Sequence, residues 1–175
     1  KMTFKEYFAW FKRDWAKAGL LISIFLFAFH FVIVKDSDFV LFLLLLQTPL
    51  YLLHEAEEYI FPGGFGKFFN MHIMKFETED KPLDEDFIFY INIILIWVIL
   101  PVFGLLATKN YNYGLWLPYF SFFAGLSHIA LGIKARKRYN AGLVVSLLLN
   151  IPVGAWSVLY LVNQGFLPNV FLNPH

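Results

Sequence analysis

Five stretches of roughly 20 mostly apolar residues follow one another along this chain, each long enough to cross a lipid bilayer as a helix. They cover about 18–34, 39–59, 87–108, 115–133 and 143–162. Pro62-Gly63-Gly64, Pro82, Pro118 and Pro168 punctuate their ends. Composition agrees. The chain is 59% hydrophobic and 15% charged, against about 45–50% and about 25% in ordinary soluble domains. The reading is an all-α integral membrane protein, a single transmembrane helical domain over residues 1–175. A net charge of +1 gives no reason to expect a nucleic-acid partner. The absence of cysteine removes thiolate metal sites and thiol nucleophiles, so any metal ligands must be histidine, carboxylate or amide.

Residues 1–17 are charged and patterned. Phe4, Phe8, Phe11 and Trp15 recur at helical spacing, with Lys5, Lys12, Arg13 and Lys17 elsewhere on the wheel. This predicts an N-terminal amphipathic helix, lying in the membrane interface or packed on the end of the bundle. The first span does not read as a cleaved signal peptide, since no small-x-small site follows it. Orientation follows from the basic residues. Twelve Lys and Arg fall in the N-terminal stretch and in alternate loops on its side, and only Lys35 and Lys109 on the other. The N-terminus is placed in the cytoplasm and the C-terminus outside.

Ionisable groups within spans are costly and mark function. The main cluster is His54-Glu55-Ala56-Glu57-Glu58, at the cytoplasmic end of the second span. His54, Glu57 and Glu58 share one helix face, and Tyr51 and Gln47 extend it as a polar stripe. Asn92, His128 and Asn150 are the conspicuous polar residues of the third, fourth and fifth spans. At about 1.5 Å per residue, His54, Asn92 and His128 each lie roughly 8 Å from a cytoplasmic helix end, and Asn150 roughly 11 Å. All four therefore share a depth. His30 sits near the outer end of the first span and fails that test.

Imidazole and carboxylate together suit zinc, iron or manganese. The expected ligands are His54, Glu58 and His128, with Glu57 as fourth ligand or general base and Asn92 as orienting group. A mono- or di-iron centre is the second expectation after zinc. His72 can add a ligand if its loop folds back. Ser121, Gly125, His128 and Gly132 form one small-residue face, and Ser146, Asn150, Gly154 and Ser157 another. Such faces let helices approach closely. Pro101 and Pro152 should disturb their helices, and Asp84 should cap the third span.

The His54–Glu58 run, followed by Phe61-Pro62-Gly63-Gly64-Phe65, resembles the family of small prokaryotic membrane proteins named for its HXXEE motif. Asn92, Ser127-His128 and Arg138-Tyr139-Asn140-x-Gly142 resemble that family's later elements. The resemblance implies a membrane-embedded His/Glu site in a prokaryotic cytoplasmic membrane and names no substrate. A buried site beside lipid suggests a metal-dependent enzyme acting on a lipid or other amphiphile, hydrolytic first and iron-dependent oxidation second. The alternatives are a carrier of metal ions or protons, and a haem protein with His54 and His128 as axial ligands.

Overall fold

The structure, a computed structural model, describes residues 1–168; the C-terminal end, expected on the outer side, lies outside the described residues. Six helices and no strand occur among these residues. α1 is Phe4–Val34, α2 is Phe39–Tyr59, α4 is Glu85–Ala107 and α6 is Leu143–Asn163. The short α3 runs Phe65–Phe68 and continues as a π-helical turn over Phe69–Ile73. α5 is Leu117–Ala135, entered through a 3₁₀ turn at Tyr111–Tyr113. All but α3, counting α5 from Tyr111, are long and apolar enough to cross a membrane.

The amphipathic stretch is not a separate interfacial helix. It is the first part of α1, which runs unbroken for 31 residues. Nothing in Phe4–Val34 breaks it: no proline occurs, and its one glycine, Gly19, is a close-packing site where an added Cβ would meet Trp97 at 3.0 Å. Thr3 and Glu6 form a capping box at its start. The aromatic face packs on the bundle's own end. Phe11 meets Phe89 and Trp97 edge-on at 5.7 and 5.6 Å, and Trp15 lies 5.2 Å from Tyr59. Lys12 pairs with Asp86 at the start of α4.

α2 is the central helix. Two-thirds of its most apolar window (67%) is buried, against 22–33% for the other four long helices. Their outward faces carry apolar side chains such as Leu21, Phe25, Ile94, Leu105 and Leu159. Asp38 caps α2 by accepting from Leu41 N at 2.8 Å, and Asp84 caps α4 by accepting from Phe87 N at 2.8 Å. A proline lacks the N–H that its i−4 carbonyl expects. The chain meets Pro101 and Pro152 with π-helical stretches immediately before them, Ile93–Ile99 and Ser146–Asn150. The small-residue faces of α5 and α6 meet as expected. A Cβ at Gly125 would fall 2.7 Å from Ile151 Cγ1, and one at Gly154 2.9 Å from Phe122 N.

Candidate metal centre

Three side chains from two helices converge at one buried point. His54 Nε2 and His128 Nε2 stand 3.1 Å apart. Glu58 Oε1 lies 3.6 Å from His54 Nε2 and 3.3 Å from His128 Nε2. All three residues are buried, and the three form a group able to hold a metal ion. His54 and Glu58 are one turn apart on α2, so one helix presents both. His128 arrives from α5.

The outer nitrogens decide what the inner ones can do. Asn140 Nδ2 donates to the His128 carbonyl at 2.9 Å, which turns its Oδ1 toward His128 Nδ1 at 2.6 Å. That oxygen accepts, so Nδ1 carries the proton and Nε2 is left with its lone pair. Ser146 Oγ spends its proton on the Gly142 carbonyl at 2.6 Å and can only accept from His54 Nδ1, 3.4 Å away. His54 is thereby held in the same tautomer. Two imidazole lone pairs and a carboxylate oxygen face one another without a donor among them. Such a triangle repels itself unless a cation or a shared proton lies inside it. Donors bound tetrahedrally to zinc at about 2.0–2.2 Å stand roughly 3.3–3.6 Å apart, which is the scale of this triangle.

The loop between α5 and α6 builds the remaining wall. α5 ends in a Schellman motif: Lys137 N donates to the Gly132 carbonyl at 3.0 Å and Arg136 N to that of Ile133 at 3.1 Å. Arg136 takes the left-handed conformation at φ 53°. At the far end of the loop Gly142 adopts φ 96°, and a Cβ there would overlap His128 Cε1 and stand 2.9 Å from His54 Cε1. Only a glycine lets the backbone pass this close to both rings. Phe65 of α3 lies 5.2 Å from the His128 ring, and Tyr51 5.1 Å from that of His54, as aromatic walls.

Glu57 does something different from what its place in the motif suggested. Its carboxylate accepts from Val144 N at 3.1 Å, Val145 N at 2.7 Å and Tyr139 Oη at 2.9 Å. It caps the N-terminus of α6 from a neighbouring helix, where bare N–H groups and the helix dipole favour an anion. Neighbouring residues on a helix point about 100° apart, so Glu58 reaches the histidines while Glu57 reaches α6. Burial and the bond to Glu57 push the Tyr139 phenol up to about 12.

Of the four polar residues at a shared depth, His54 and His128 contact each other directly, and no hydrogen bond joins Asn92 or Asn150 to them among the described residues. Asn92 donates to its own helix at the Ile88 carbonyl and to Tyr59 Oη, and makes no hydrogen bond to the triad among the described residues. Asn150 is fully buried with neither amide atom partnered among the described residues. Gln47 donates to the Leu43 carbonyl at 2.8 Å and to Ser157 Oγ at 3.3 Å. The segment carrying His72 does fold back, but His72 packs on Phe68 at 5.5 Å and Phe65 is the residue that reaches the site. Asn140, Gly142 and Ser146 join the site without a sequence pattern that marks them as ligand-positioning residues. The only signal of the first two was the Arg138–Gly142 run.

Together, the fold and this point of convergence define a helical protein with, among the described residues, five apolar helices of membrane-spanning length and a buried His/Glu cluster. The model of the family described as "Protein of unknown function with HXXEE motif" matches residues 45–157, and the chain belongs to that family. The motif is His54, Glu57 and Glu58, and the matched region also includes His128, Asn140 and Gly142. Neither a curated protein nor a solved structure matches the chain.

Proposed function

We propose that this is an integral protein of a prokaryotic cytoplasmic membrane that holds one divalent metal ion on His54 Nε2, His128 Nε2 and Glu58 Oε1. In this reading it is an enzyme acting on a lipid or other amphiphile. The observation that carries it is the convergence of two imidazole lone pairs, whose rear nitrogens are already engaged, with one carboxylate oxygen. Two histidines and one carboxylate are the protein ligands of a catalytic zinc site with its fourth position open. The same donor set suits non-haem iron, so zinc is the first expectation and iron the second. A metal there supplies a polarised water or a Lewis acid for a substrate oxygen. Glu57, committed to the α6 cap, is neither ligand nor base in this reading. Asn92 takes no part. The distribution of basic residues supports the orientation, with the site in the cytoplasmic leaflet.

A bis-histidine haem does not fit. The two Nε2 atoms are 3.1 Å apart, with no room for a macrocycle between them. A carrier of protons or metal ions is the second reading. It is favoured by buried polar atoms without partners among the described residues, on Gln47, Thr48, Ser121 and Asn150.

The test is metal content by mass spectrometry on detergent-purified protein, wild type beside His54→Ala and His128→Ala. The expected result is about one zinc or iron per chain, lost in both variants. Protein purified without chelator, given metal back and still holding none would turn the triad into a proton site. Metal accumulation in sealed proteoliposomes would favour the carrier.

A further inference from the structure

One member of the triad is reachable from a cavity. A space of about 400 Å³ opens between the cytoplasmic halves of α5 and α6, and His128 is part of its lining. Its walls are apolar, with Ile133 on α5 and Leu147 on α6, and its rim is Arg136, Lys137 and Arg138. The volume falls within the range of small-ligand sites. Ile133 and Leu147 are 74% and 51% exposed, so the apolar side is open to whatever surrounds the bundle. Arg136 stands two helical turns beyond His128, roughly 12 Å along the axis.

None of the three basic side chains forms an ion pair among the described residues. Arg136 occupies a left-handed position where glycine or asparagine is favoured, at a cost of roughly 1–2 kcal/mol for a residue such as arginine. Positive-inside bias accounts for cations somewhere in this loop, but not for their place on the rim of a cavity that leads to His128. Guanidinium groups pair with phosphate oxygens in a bidentate fork. The apolar walls suit an alkyl chain and offer nothing to a wholly polar ligand.

We propose that this groove binds an anionic phospholipid of the surrounding leaflet. Its phosphate sits on Arg136, Lys137 and Arg138, and one acyl chain lies along Ile133 and Leu147, so that the glycerol region is presented toward His128. The inference rests on the membrane and metal-site reading and names the substrate class of that site.

The test uses full-length, metal-loaded protein in detergent, titrated with phosphatidylglycerol or phosphatidylcholine and read by native mass spectrometry. Phosphatidylglycerol should bind at least about tenfold more tightly, since each nearby basic side chain favours an anionic lipid. Arg136→Gln/Lys137→Gln/Arg138→Gln should weaken that binding on the order of a hundredfold. Leu147→Trp fills the groove at a half-exposed position and should also abolish the preference, with the basic rim intact. Metal content, read in the same spectra, should not change in either variant. Equal binding of the two lipids, or phosphatidylglycerol binding that survives either variant, overturns the proposal. Displacement of the lipid by glycerol phosphate at comparable concentration also overturns it, because the headgroup alone would then be the ligand. Stoichiometric metal without lipid preference defeats the groove alone. Lipid preference in a chain that holds no metal defeats the metal centre alone.

Discussion

Asn140→Ala isolates the residue that aims His128. The substitution removes the acceptor for His128 Nδ1–H and the donor to the His128 carbonyl, 2.6 and 2.9 Å away. Losing these two buried hydrogen bonds costs about 1–3 kcal/mol, which the metal-free protein should show as lower stability. The metal effect comes on top. Freed from Asn140, the imidazole can place its proton on Nε2, where it blocks the ligand position. Loss of such an outer partner typically weakens metal binding 10–100-fold. At about 1.4 kcal/mol per tenfold, the stabilisation that saturating metal provides should shrink by about 1.4–2.8 kcal/mol. With about 2–4 °C per kcal/mol for a chain of this size, the metal-induced rise in Tm should fall by roughly 3–11 °C. Asn140→Asp separates the two effects. Its carboxylate still accepts from Nδ1–H, so metal affinity should stay near wild type. Its second oxygen faces the His128 carbonyl, so the metal-free Tm should drop. Thermal unfolding in detergent with and without zinc, alongside chelator competition, reads both quantities. Wild-type metal affinity in folded Asn140→Ala would refute the tautomer argument.

Gly142→Ala should abolish stoichiometric metal, because the added Cβ overlaps His128 and φ 96° is strained for alanine; metal analysis of the folded variant decides it, and full occupancy would contradict the close approach. Glu57→Gln should lower stability by about 1–3 kcal/mol through loss of charge-assisted bonds at the α6 N-terminus, with metal stoichiometry intact; metal loss at unchanged Tm would restore Glu57 as a ligand. The Tyr139 phenol, held up to about 12, keeps its proton in the folded chain where an unfolded tyrosine releases it near pH ~10. The folded state then binds more protons, so its stability falls as pH rises from about 10 to about 12; a stability profile of Tyr139→Phe should lack that alkaline component. In the cysteine-free chain, Lys109→Cys and Lys137→Cys should label from opposite faces of a sealed membrane vesicle; labelling from one face would overturn the topology.

Much of the helical order was legible because it depends on local chemistry. The length and composition of the five apolar stretches, the cap at Asp84 and the disturbance before Pro101 and Pro152 each arise within a few residues. The boundary at residue 17 was not legible in the same way. A change from amphipathic to uniformly apolar sequence marks a change of surroundings, not of backbone, and α1 runs straight through it. The aromatic face of that segment finds Phe89, Trp97 and Tyr59, partners that no local pattern names.

The candidate site divides along the same line. That His54 and Glu58 share a face is a property of one helix and follows from their spacing. Equal depth placed His54, Asn92, His128 and Asn150 in one layer, but depth is only one coordinate. Rotation about each helix axis is the other, and packing between helices sets it: His128 faces His54 where Gly125 and Gly154 let α5 and α6 approach, while Asn92 faces Tyr59. Packing between helices is what parts the adjacent glutamates of one motif, Glu58 to the histidines and Glu57 to the N-terminus of α6. It also brought Asn140 and Ser146 behind the imidazoles and Gly142 against their edges, because contacts across 12 to 92 residues of chain follow from how helices pack and leave no periodic trace in the sequence.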